Sequence, residues 1–321
     1  MIFEYAKELA TDYSEQPIDT SVITVPPFFT QAERKAVLKA AEIANLKVLQ
    51  LINTNIAAGL NYGVFRRKDF NATGTTFMFF DMGSTGTVAT VATYQTFKSD
   101  DDGEANPRLT VRGVGFDRTL GGNAFSMRLA KHFGHVFHEK TKKEAMKNPK
   151  ALLKLYKEAD RIKTVLSANA DHMAQIENLM DDVDFKAKVT RDEFEKMSAD
   201  LFERVKKPIE EALRAAEVSA DELSSVILVG GSTRIPKVQE EIMKATSKQE
   251  LGKNLNTDEA PALGAVYQAA YQSKGYKVKK FVIKDINLYP LVVSCQKINQ
   301  HHQHRLLKFI LSLSLSLYCL G

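Results

Sequence analysis

The chain is poor in cysteine: Cys295 and Cys319 are the only two among its 321 residues, and both lie near the C-terminal end. That scarcity excludes a disulfide framework and any CxxC metal pair. A basic stripe interleaved with aromatics is also missing, and 44 basic against 39 acidic residues leave a formal charge of only +5, which argues against a nucleic-acid partner. No membrane partner is expected either. The opening stretch MIFEYAKELATDY carries acids where a secretory leader needs an unbroken apolar run, so no leader is read there. Internal repeats of solenoid length are absent. What is present, 44% hydrophobic and 26% charged residues, is the composition of an ordinary soluble globular protein long enough for two domains or two lobes.

The patterning alternates strand and helix. SVITV (Ser21–Val25) is a β-branched run stopped by Pro26 and Pro27, and Thr30 with Glu33 forms a capping box for a helix to about Asn45. LKVLQLIN is the next strand, followed by the short small-residue helix IAAGLNYGVF. A hairpin spans Thr75 to Tyr94, then comes an acidic, solvated loop, KSDDDGEANP, and the strand RLTVRGVG. Helices are expected after Gly121-Gly122 and after Asn148-Pro149, the second with a core stripe of Leu152, Tyr156, Ala159, Ile162 and Leu166. MAQIENL and FKAKVT read as a β-unit joined through MDDVD, and a capping box at Thr190 and Glu193 opens a long helical stretch that Pro208 should kink or split. A buried strand at Ser225–Gly231 leads into STRIPKVQEEIMKA, and a closing helix follows at TDEAPALGAVYQAAYQ. Alternation of this kind points to an α/β fold.

Two glycine-rich turns carry the functional signal. In ILVGGSTRIPKV (Ile227–Val238) a hydrophobic strand ends in Gly230 and Gly231, then Ser232 and Arg234, then Pro236 at a helix start. Backbone and helix N-terminus there form a nucleotide-sized recess, and Arg234 can stack its guanidinium plane on a base. An ordinary strand-to-helix turn would need only the two glycines. In FFDMGSTGTV the turn Gly83 to Gly86 can cradle a phosphate while Asp81 holds a hydrated metal ion or positions water, although no second acid follows. Together the turns suggest a ligand held in a cleft between lobes. His132, His135 and His138 drift around their helix at three-residue spacing and read as a partly exposed face rather than a metal site. Asn71-Ala72-Thr73 is a glycosylation sequon, usable only in the secretory pathway.

VITVPPFF, LINTNIAAGLNYG, VGGSTRIP and NTDEAPALGAVYQAA, in that order, resemble the nucleotide-binding domain of the heat shock protein 70 family. GVGFDRTLGG and KTVLSANADHMAQIENLMDDVDFKAKVTRDEFE resemble its branch of large chaperones of the endoplasmic reticulum lumen. The resemblance covers about residues 5–293 and implies an actin-like ATPase fold of two lobes around an ATP cleft. It implies that Gly230, Gly231, Ser232 and Arg234 form the adenosine loop, which Asp258 closes, and that Lys163 and Ser167 contact ribose and adenine. Asp160 stands where the general family has Glu, and Thr164 where it has the Arg that completes a sandwich around adenine. Gly121 and Gly122 match the nucleotide-contacting pair of the second lobe, and Asp81 with Gly83 the start of the second phosphate loop. The implied cofactors are ATP or ADP with Mg, with no direct protein ligand to the metal.

Departures from the family pattern leave hydrolysis open. In the phosphate hairpin Gly86 replaces Thr and Val88 the second Asp, and Thr54 replaces a catalytic-site Glu, so two carboxylates that would hold metal and orient water are gone. The family's first phosphate loop and catalytic Lys would lie upstream of Met1, so the chain is expected to be an N-terminally truncated fragment. On that reading residues 1–74 are the remainder of lobe I, 75–275 mainly lobe II with the closing helix, 276–293 the start of a substrate-binding domain, and 294–321 a low-complexity tail unlike the rest. A truncated sheet exposes edges, so poor solubility or partial folding is expected. The expected partners are another chaperone of the endoplasmic reticulum, whose nucleotide exchange is promoted, and unfolded clients. A non-catalytic interaction module is the alternative, and a phosphotransferase of the same superfamily lacks a candidate acid for a small substrate.

Overall fold

A computed structural model describes residues 1–98, 105–273 and 275–289. The acidic run 99–104, both cysteines and the tail 294–321 lie outside the described residues. The chain opens with α1 (Ile2–Ser14), a helix with no buried residue that the sequence pattern did not announce. Then come β1 (Thr20–Val25), α2 (Gln31–Ile43), β2 (Lys47–Asn53) and α3 (Thr54–Val64). The expected cap is in place: Thr30 Oγ1 accepts from Glu33 N, and Glu33 Oε2 accepts from Thr30 N at 2.7 Å. β1 and β2 pair in parallel as a sheet of two strands, each with one edge open among the described residues.

The centre is a five-stranded sheet built from β3 (Thr75–Met82), β4 (Thr87–Lys98), β5 (Ala105–Asp117), β8 (Ser225–Val229) and β9 (Val282–Lys284). Its order is β8-β3-β4-β5-β9, antiparallel along β3-β4-β5 and parallel at both margins. The parallel pairing of β3 with β8 aligns Asp81 with Val229, so the two glycine turns leave the same end of the sheet.

Between β5 and β8 run α4 (Gly122–Thr141), α5 (Pro149–Leu166), the hairpin β6 (Asp171–Met180) and β7 (Val183–Thr190), and then α6 (Arg191–Met197), α7 (Ala199–Glu203) and α8 (Lys206–Ala216). Asp181 and Asp182, both at positive φ, close the hairpin. The stripe of α5 begins one residue earlier than its spacing suggested: Ala151, Leu155, Ala159, Ile162 and Leu166 are buried, while Leu152 and Tyr156 are half-buried. Nor does Pro208 break a helix. The breaks fall at Ser198 and around Arg204 and Val205, and Pro208 sits in the first turn of α8, where its missing N–H has no intrahelical acceptor to lose.

After β8 come α9 (Pro236–Thr246) and α10 (Ala260–Gln272). One large core joins the sheet to α4, α5, α8 and the β6–β7 hairpin, and a second, rich in aromatics around Tyr94, lies between the sheet and α3. α10 covers α3 from outside, and Gly264 permits it: a Cβ there would overlap the backbone of Ala57. Among the described residues no helix is long and apolar enough to cross a membrane. Gly264→Ala is expected to force α10 off α3 and lower stability by about 1–3 kcal/mol, as overpacking does. Urea unfolding measures it, and an unchanged midpoint would show that the two helices separate freely.

Candidate functional site

Four segments far apart in sequence converge on one recess of about 420 Å³. The β3–β4 turn brings Gly83 and Ser84, and the start of α4 brings Gly122. One face of α5 brings Asp160, Lys163, Thr164 and Ser167, and the turn after β8 brings Gly231, Ser232, Arg234 and Ile235. The α5 residues share a face because positions three, four and seven apart on a helix do. Asp258, just ahead of α10, does not line the recess but forms an ion pair with Arg234, whose guanidinium also donates to Thr257 Oγ1 at 3.0 Å.

The turns are locked to one another through backbone. Gly122 N donates to Gly83 O at 3.0 Å, Asn123 N to Ser84 O at 2.8 Å, and Ser232 Oγ to Gly83 O at 2.8 Å. The first N–H groups of α4 are therefore spent on the hairpin turn and are not presented to a ligand. Gly230 adopts φ +83°, and a Cβ there would lie 2.6 Å from Asp81 Oδ1, so the conformation and the space both require glycine. At Gly122 a Cβ would lie 2.6 Å from Ser232 Oγ and 3.2 Å from Lys163 Nζ, inside the recess. Gly121 sits behind it, against the carbonyl of Ser84.

Lys163 is nearly buried, and its ammonium donates to Asp160 Oδ1 at 2.7 Å, Ser126 Oγ at 2.8 Å and Gly122 O at 3.2 Å. Burial pushes the Asp160 carboxyl up, but hydrogen bonds from Lys163 and Ser126, with the charge of Lys163, outweigh it and hold the group below its ordinary value. Ser126 escaped the sequence reading although it follows Gly122 by one helical turn. Its position opposite α5 is a tertiary fact.

Asp81 is not in this recess. It lines a neighbouring cavity of about 160 Å³ with Pro26, Pro27, Phe28, Asn55 and Val88, and Gly83 forms the wall common to both. Thr54 and Val88 also line this cavity, so among the described residues Asp81 is its sole carboxylate. The three histidines disperse: His135 faces Glu139 at 3.2 Å, His138 faces Glu144 at 3.8 Å, and His132 lies beside Phe133. A larger depression of about 670 Å³ on the outer face of α5 is lined by solvated charge, including the Arg161–Glu158 pair at 2.7 Å.

Burial lifts the Asp81 carboxyl from 3.8 to about 6. The folded chain thus holds this proton more tightly than the unfolded chain, which favours folding below about pH 4 and is lost as pH rises through about 6. Asp81→Asn is expected to melt higher than the parent near pH 7.5 and to converge with it near pH 4, in thermal melts followed by circular dichroism without divalent cations. Parallel profiles would mean that Asp81 titrates normally.

Residues 1–305 match the family model described as Hsp70 protein. Hypoxia up-regulated protein 1 of Mus musculus is 60% identical over 297 residues, covering 91% of this chain and 30% of that protein, and the Homo sapiens protein gives the same figures. The Xenopus laevis protein of that name is 56% identical over 306 residues, covering 95% of this chain and 47% of the relative. The chain thus spans 30% to 47% of the length of these curated relatives. With a match across nearly its whole length, the chain belongs to the Hsp70 family and has its actin-like ATPase fold.

Proposed function

We propose that the chain is the nucleotide-binding part of an ATP-binding chaperone of the endoplasmic reticulum lumen, which assists folding under stress and promotes nucleotide exchange on a partner chaperone. The observation that carries the reading is the recess itself, where Lys163, Ser167, Gly231, Ser232 and Arg234 converge from separate segments around a nucleoside-sized volume. Arg234 offers one guanidinium plane, half exposed, for a base to lie on. Thr164 offers none opposite, so adenine would be held from one side. The lumenal location and the exchange activity rest on the likeness to the large-chaperone branch.

Magnesium fits the adjoining cavity by its donors. Asp81 and Asn55 both line it, Asn55 Oδ1 is buried without a hydrogen-bond partner, and hard oxygen donors suit that ion. Bound there, it would neutralise phosphate charge, while Gly83 and Ser84 would shape the phosphate end and Lys163 and Ser167 the sugar end. One observation favours a second reading, a non-catalytic interaction module: Val88 and Thr54 occupy the cavity wall where a hydrolytic site needs carboxylates.

Calorimetric titration of the chain with ATP and magnesium separates the two. Micromolar affinity supports nucleotide binding, and no heat supports the interaction module. Gly122→Ala, whose methyl group would protrude between Ser232 and Lys163, is expected to weaken ATP binding at least about tenfold, roughly 1.4 kcal/mol, while the fold is kept. Equal affinity in the variant would place the nucleotide elsewhere.

A further inference from the structure

The small cavity beside the nucleotide recess has a chemical imbalance. Asn55 enters from the first turn of α3 and is 5% exposed. Its Nδ2 donates to Thr90 Oγ1 on β4 at 3.1 Å, which fixes the amide, yet its Oδ1 accepts from nothing among the described residues. Leaving such an acceptor buried and unpaired costs about 1–3 kcal/mol. The Asp81 carboxylate also has neither a hydrogen bond nor an ion pair among the described residues. Two acceptors without donors therefore line one cavity of about 160 Å³.

The side-chain donors on the walls are the neutral hydroxyls of Thr54 and Thr85, neither of which is bonded to Asn55 or Asp81. Among the described residues no Lys, Arg or His lines the cavity, and Pro26 and Pro27 have no N–H to give. Thr54 and Val88 add no charge. What would balance two such oxygens is a hard cation carrying donors of its own, the waters of its shell. A cavity of about 160 Å³ accommodates an ion with several waters, each occupying about 30 Å³. Magnesium binds in this manner, through one or two protein oxygens, several waters and a substrate phosphate, and Gly83 lines both the cavity and the recess.

We propose that Asn55 acts with Asp81 as an oxygen donor to a hydrated divalent cation in this cavity, taking up part of the work of the carboxylates that Thr54 and Val88 replace. The inference builds on the magnesium-nucleotide reading above and assigns the cation a second protein contact. Asn55 Oδ1 contacts the cation, oriented by the Nδ2 bond to Thr90 on β4, and performs no proton transfer.

Manganese alone is the probe, because it has the same oxygen preference and its free concentration is read directly by electron paramagnetic resonance. The full chain is titrated with Mn²⁺ at neutral pH without nucleotide, alongside Asn55→Ala, Asn55→Asp and Asp81→Asn, with folding of each checked by circular dichroism. One saturable site is expected, abolished in Asp81→Asn, weakened about tenfold in Asn55→Ala and tightened by a similar factor in Asn55→Asp, which adds a charge without changing size. If Asn55→Ala does not fold, Asn55→Asp decides. Unchanged affinity in the Asn55 variants, or no saturable site in the parent, overturns the proposal and leaves the cavity to ordinary water. ATP calorimetry is read separately: manganese binding without ATP binding overturns the nucleotide reading only, and ATP binding insensitive to Asn55 and without a manganese site overturns this inference only.

Discussion

Gly122 N and Ser232 Oγ both donate to the carbonyl oxygen of Gly83, and the recess exists because they do. One atom joins the β3–β4 turn, the start of α4 and the turn after β8, segments that no local rule brings together. A half-buried carbonyl with two lone pairs can take both donors, and it keeps one when the other is removed. The knot also redirects recognition. Because the first N–H groups of α4 are committed to the hairpin turn, an anion in the recess depends on side-chain cations and on the remaining backbone of the turns.

A second set of contacts holds the loop 26–29 over the Asp81 cavity. Arg34 donates to the carbonyls of Phe29 at 3.1 Å and Pro27 at 3.3 Å, and to Asn53 Oδ1 at 2.7 Å. Asn53 passes the connection to Asp285, and the Tyr289 hydroxyl donates to Phe28 O. From the other side Phe116 lies against the Phe28 ring at 5.2 Å between centroids, while Arg118 covers that ring and pairs with Glu33 of the α2 cap. An exposed ion pair of this kind is worth little alone. Here it is added to a capping box and a ring contact, so the cavity wall is held from α2, β2, β5 and the segment after β9 at once.

Legibility in the sequence followed the range of the interaction. The caps at Thr30, Asn148 and Thr190 span three residues and were readable as spelled. The α5 face was readable once helical spacing was assumed, although its burial is rotated by one residue toward Ala151. α1 left no signal because none of its residues is buried. Ser126 and Asn55 were not legible for the opposite reason. Each is ordinary in its own helix and acquires a role only from a partner on another element, Lys163 on α5 or Thr90 on β4. Pro208 misled because a proline reads as a break wherever it falls, whereas the chain had already broken before it. Gly230, Gly231, Ser232 and Arg234 were readable from the strand-turn-helix pattern itself, and the structure adds the register that sets Asp81 beside Val229 and so brings both turns to one end of the sheet.

The two cations of the recess each arrive with a carboxylate, Lys163 with Asp160 and Arg234 with Asp258, so the mouth of the cleft is close to electroneutral. Such an entrance exerts little pull on a distant polyanion. An anionic ligand would arrive by ordinary diffusion rather than by long-range attraction, and the encounter rate would change little between dilute buffer and physiological salt. Discrimination between one anion and another is then left to the dwell time after contact, when the paired charges rearrange around whatever has entered.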